Sequence, residues 1–148
     1  MQTIKFEIAP NFYIVADTFG NPEDKPVLFL HGGGQTRHSW GDSAKVIAEN
    51  GYYSIALDAR GHGDSSWSKS GNYRIEDLGN DLKTVIKQLG KSPALVGASM
   101  GGLTSLIAEG ESEKSISSAI VLVDIAPKAE QKGIERIFAF MSSNKNGF

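Results

Sequence analysis

The chain has 148 residues, 40% of them hydrophobic, with 15 Lys and Arg against 17 Asp and Glu, so its net charge is −2 at pH 7. This is the composition of a one-domain globular protein, with no electrostatic footprint for nucleic acid or an anionic membrane as partner. With no Cys, disulfides, thiolate nucleophiles and Cys-ligated zinc are excluded. No apolar run approaches ~18 residues and "MQTIKFEIAP" lacks an apolar signal core, so a cytoplasmic location is the expectation.

"TIKFEIA" (3–9) alternates apolar and polar residues and "FYIVADT" (12–18) is rich in strand formers; the "PN" between them predicts a hairpin. Residues 20–26 read as a loop. "VLFLH" (27–31) is a continuous apolar run ending in "GGG", the signature of a strand buried on both faces of a parallel sheet. A helix is predicted over 39–50, closed by Gly51, then a buried strand over 52–58 and a long Gly/Ser loop over 59–73. Leu78, Leu82, Val85, Ile86 and Leu89 recur at helical spacing up to Gly90. "PALVG" (93–97) predicts a third buried strand, Met100 to Glu109 a helix, and "SAIVLVD" (118–124) a fourth buried strand. Ile134, Ile137, Phe138 and Met141 predict a last, amphipathic helix. An antiparallel start followed by alternating strands and helices is an α/β fold with a mostly parallel sheet. Such sheets bind ligands outside the carboxyl ends of their strands, and His31, Asp58, Ser99 and Asp124 all fall there.

Residues 97–101, Gly-Ala-Ser-Met-Gly, match G-x-S-x-G between a buried strand and a helix. On a sharp strand-to-helix turn, a Ser holds its Oγ clear of the sheet. Small residues on either side let strand and helix approach, and the helix N-terminus offers N–H groups to a developing oxyanion. The bland alternative is a Gly-rich turn whose Ser caps the helix.

Three segments in this order, "HGGG" (31–34), "DARGHGDSS" (58–66) and "GASMGG" (97–102), resemble the α/β-hydrolase superfamily over nearly the whole chain. They look most like its serine esterase, haloperoxidase-like and C–C hydrolase branch. The resemblance implies the α/β-hydrolase fold and Ser99 as nucleophile. It pairs the Gly33 N–H with the Met100 N–H as oxyanion hole; Gly34 is the alternative donor. A Ser at the elbow departs from the Asp of epoxide hydrolases and haloalkane dehalogenases, which argues against those chemistries. Asp124 is a candidate triad acid, the alternative being a loop-capping carboxylate. His38 and Gly34 are substrate-pocket candidates.

"GHGDSS" lacks the third Gly and the following helix of a dinucleotide fingerprint, and "GKS" (90–92) lacks the Gly of a phosphate loop. No His pair has metal spacing, and neither metal nor cofactor is expected. His31 and His62 read as braces of their own loops. No histidine stands where the family places its base, late in the chain after the acid. The expectation is therefore the N-terminal part of a hydrolase: core over 1–127, the start of a lid over 128–148, and the closing strands and catalytic His missing. The function expected is a serine hydrolase of a small ester or related acyl substrate, inactive as this chain. A second chain or the missing C-terminal segment would complete the fold. The alternatives are a non-catalytic, hydrolase-like binding module and an acyltransferase.

Overall fold

The computed structural model describes residues 1–125 and, beyond them, Gly133, Glu135, Arg136 and Ala139. The lid expected over 128–148, with its helix, otherwise lies outside the described residues. Six strands form one sheet: β1 (Gln2–Ala9), β2 (Phe12–Phe19), β3 (Lys25–Leu30), β4 (Tyr52–Leu57), β5 (Ala94–Ala98) and β6 (Ala119–Val123). Their order is β1-β2-β4-β3-β5-β6. β1 and β2 form an antiparallel hairpin, β2 joins β4 antiparallel, and the β4-β3-β5-β6 pairings are all parallel. The sheet is therefore the mostly parallel one that the apolar runs predict.

Successive side chains of a strand point to opposite faces, so a strand apolar at every position feeds two cores. In β3, Leu28 and Leu30 enter one core with Ile55, Leu57 and Leu95, while Val27 and Phe29 enter a second with Ala56. Helix α2 (Ile75–Leu89) closes the larger core with Leu82, Val85 and Ile86, and α3 (Met100–Gly110) adds Ala108. Helix α1 (Gly41–Glu49) covers the smaller core with Ala44. Asp77 accepts the Arg74 N–H at 3.0 Å to start α2, and Gly90 ends it in the left-handed region at φ 66°.

Three details differ from the sequence reading. β3 begins at Lys25, inside the expected loop, because Lys25 and Pro26 continue the register against Tyr52 and Tyr53. The helix expected from residue 39 begins at Gly41, after a 3-10 turn over Arg37–Trp40. Long-range bonds fix that turn: the Arg37 N–H donates to Asp58 at 2.7 Å and its guanidinium is buried among carboxylates. β6, read as buried, leaves Val121 49% and Val123 38% exposed. Among the described residues it is an edge strand, paired only with β5.

Candidate active site

Ser99 stands between β5 and α3 with φ 46° and ψ −111°, a conformation that a residue with a Cβ rarely adopts and that costs of order 1–3 kcal/mol. Its hydroxyl does not cap α3 and has no hydrogen-bond partner among the described residues. That removes the bland alternative of a capping Ser. The tight turn depends on its glycines. A Cβ at Gly97 would lie 2.5 Å from the carbonyl carbon of Gly101, and a Cβ at Gly101 would lie 2.3 Å from the carbonyl oxygen of Leu30. Helix α3 thus starts in backbone contact with β3 and β5, with Ser99 exposed at their carboxyl ends. The Met100 N–H, in the first turn of α3, has no intrahelical acceptor.

The "HGGG" loop lies against this elbow: a Cβ at Gly32 would come within 3.6 Å of the Ser99 Cβ. The loop is tied by its own amides. Gly32 N–H donates to the Gln35 side chain at 2.9 Å, Gln35 N–H to the Gly32 carbonyl at 3.2 Å, and Gly34 N–H to His62 Nε2 at 3.3 Å. The Gly33 N–H has no partner among the described residues, and Gly33 is exposed. Of the two donors the sequence offers, Gly34 is engaged and Gly33 is free.

His31 is 1% exposed. Its Nε2 faces the Ala59 N–H at 3.0 Å, which can only donate, so Nδ1 carries the proton and gives it to the Gly32 carbonyl at 2.7 Å. Burial is the main force holding the His31 pKa below its usual value; His62 adds to this, and the Gly32 carbonyl and Asp58 oppose it. His62 follows the same logic: Nε2 accepts from Gly34 and Nδ1–H donates to the Arg60 carbonyl at 3.1 Å. Both histidines brace their loops, and neither has a nitrogen left for proton transfer. His38 is exposed beside Asp17, its Nδ1 3.6 Å from the carboxylate. Among the described residues no histidine hydrogen-bonds Ser99.

Asp124 follows β6 directly. Ala98 pairs with Val123, and the Ser99 N–H donates to the Val123 carbonyl at 3.1 Å, so Ser99 and Asp124 leave adjacent strands side by side. Asp124 also has positive φ, 51°, and its exposed carboxylate has no partner among the described residues.

The fourth polar strand end, Asp58, is fully buried and saturated. It accepts the Arg37 N–H at 2.7 Å, the Asp64 N–H at 2.9 Å and the Arg37 guanidinium. Arg37 also pairs with Asp17 at 3.0 Å and Asp64 at 2.8 Å. Burial opposes the Arg37 charge, but its bonds to Asp64, Asp58 and Asp17 prevail and raise its pKa. This brace is not legible in the sequence. A lone Arg three residues after a glycine triplet carries no local signal of three distant carboxylates. Of the four strand ends, two are consumed in holding loops, leaving Ser99 and Asp124 open to chemistry.

A family model described as "alpha/beta hydrolase fold" matches residues 25–144. The chain belongs to the alpha/beta hydrolase family. The chain is 37% identical over 110 residues to an esterase of Mycobacterium tuberculosis, covering 74% of this chain and 36% of the esterase. It is 34% identical over 121 residues to an sn-1-specific diacylglycerol lipase of Mus musculus, covering 80% of this chain and 38% of the lipase. It thus spans little more than a third of the length of these relatives. Among solved structures, an alpha/beta hydrolase from Novosphingobium aromaticivorans superposes with a TM-score of 0.83 at 24% identity, over 94% of this chain and 49% of that one. An esterase from Exiguobacterium antarcticum gives 0.78 at 25% identity, over 90% of this chain and 52% of that one. An esterase and a lipase are thus among the relatives of this alpha/beta hydrolase family member, and no helix among its described residues is long and apolar enough to cross a membrane.

Proposed function

We propose that this chain carries the nucleophile half of a serine hydrolase for small ester or related acyl substrates. The observation that carries this reading is the Ser99 hydroxyl, exposed on a strained turn at a helix N-terminus and without a partner among the described residues. Ser99 Oγ attacks the acyl carbon and gives its proton to a histidine base supplied from outside the described residues. The Gly33 and Met100 N–H groups hold the oxyanion, and Asp124 orients the imidazolium. The alcohol leaves with the proton, and water then releases the acid. The β6 edge, unpaired among the described residues, suits pairing with a further segment or a second chain that brings the base. The partner is a small acyl compound in the cytoplasm, without cofactor.

The test is fluorophosphonate labelling of this chain with peptide mapping, beside hydrolysis of a short p-nitrophenyl ester. Without its base a triad loses about 10⁴- to 10⁶-fold in rate, so turnover is expected to be negligible. Labelling is expected to be slow, confined to Ser99, accelerated by added imidazole and absent in Ser99→Ala. A label spread evenly over exposed serines such as Ser70, or missing from Ser99, ends the nucleophile reading. Robust turnover lost in Ser99→Ala would place the base within this chain.

A further inference from the structure

We infer that His31 and His62 form a reciprocal clasp that presents the Gly33 N–H to Ser99, and that protonation of His62 opens it. The inference rests on Gly33 being the oxyanion donor. Each imidazole reaches from its own loop to accept an N–H from the other's backbone. His31, at the end of β3, takes the Ala59 N–H; His62, in the loop after β4, takes the Gly34 N–H. Each then fixes its own loop through Nδ1–H, to the Gly32 and Arg60 carbonyls. The two rings touch, with centroids 4.9 Å apart at 54°. The clasp spans the loop on both sides of Gly33, whose own amide has no partner among the described residues. His62 is a positioning residue here: it acts through the loop and takes no part in proton transfer.

The two members differ in access to protons. His31 is sealed at 1% exposure, whereas His62 is only half-buried. Protonated, His62 Nε2 becomes a donor and faces the Gly34 N–H, donor against donor, so this bond is lost and the Gly34 side of the loop is freed. The charged groups around the clasp are compensated: Asp58 and Asp64 hold Arg37, and the Arg60 guanidinium holds Asp81. Of the two rings, His62 is thus the one a proton can reach, and its protonation frees the oxyanion loop.

The experiment is a pH titration of this chain by ¹H–¹⁵N NMR, following the His62 ring nitrogens and the Gly33 and Gly34 amides. Above the titration, His62 is expected as the Nδ1–H tautomer, with the Gly34 amide proton downfield. As His62 protonates, the Gly34 proton moves upfield and Gly33 shifts with the same midpoint. In His62→Gln, whose side-chain oxygen accepts without titrating, both glycines lose that response. An Nε2–H tautomer, or glycine amides that ignore the His62 midpoint, overturns the clasp, and the wild-type titration alone can show either. Failure of the clasp is distinguishable from failure of the nucleophile reading. Coupled titration with no Ser99 labelling leaves the clasp and ends the oxyanion role; selective labelling with uncoupled titration does the reverse.

Discussion

Replacing Arg37 by Met tests whether the loops around the site are held by one buried cation. Met keeps most of the apolar stem and the Arg37 backbone N–H, and removes only the guanidinium. It leaves Asp58 at 0% exposure and Asp17 at 6%, two buried carboxylates that lose the guanidinium they share, with only His38 near Asp17. Breaking a buried ion pair from one side costs about 3–5 kcal/mol, because the remaining charge is uncompensated. Asp58 keeps two amide donors, from Arg37 and Asp64, and Asp17 keeps the Thr3 hydroxyl at 2.7 Å. The lower end, about 3 kcal/mol, is therefore expected, out of the ~5–15 kcal/mol typical of a domain. With a urea m-value of ~2 kcal/mol/M, the unfolding midpoint should fall by roughly 1.5 M. The assay is urea unfolding followed by circular dichroism for wild type, Arg37→Met, Asp58→Asn and the double variant. Asp58→Asn removes the stranded charge, so the double variant should be more stable than the sum of single effects by about 1 kcal/mol or more. A midpoint shift under about 0.5 M, or strict additivity, refutes the brace.

Two further outcomes are expected. Gly101→Ala drives a Cβ to 2.3 Å from the Leu30 carbonyl oxygen, a backbone atom of β3. Overpacking of about 1–3 kcal/mol should lower Tm by roughly 3–10 °C in calorimetry and slow Ser99 labelling; an unchanged Tm would show that α3 can move off β3 freely. His31 gives a pH dependence. Burial lowers its folded pKa, so the unfolded chain takes the proton first, and stability falls as pH drops below the unfolded value of 6.5 until the folded pKa is passed. Urea midpoints at pH 7.5 and 5.5 should differ in wild type and differ less in His31→Gln; identical differences would mean that His31 titrates alike in both states.

The sequence by itself determined the strand-and-helix alternation, because periodicity and Gly punctuation are local. "VLFL" is apolar at every position since both faces of β3 are covered, and Gly97 and Gly101 flank Ser99 because two backbones must touch there. The place of Ser99 on the strand-to-helix turn was legible for the same reason. What only the tertiary structure decided is how the loops divide their hydrogen bonds. Asp58 and Ser99 look alike as polar residues at strand ends, yet Asp58 is consumed by Arg37 and Ser99 is free. Gly33 and Gly34 are indistinguishable as letters, yet His62, 28 residues away, engages the Gly34 amide. β6 reads as buried from its composition, yet among the described residues it is the last strand of the sheet and leaves Val121 and Val123 exposed on one face. The physical reason is common to all three: apolar spacing is written along the chain, whereas polar partnership and sheet position arise between segments that meet only after folding.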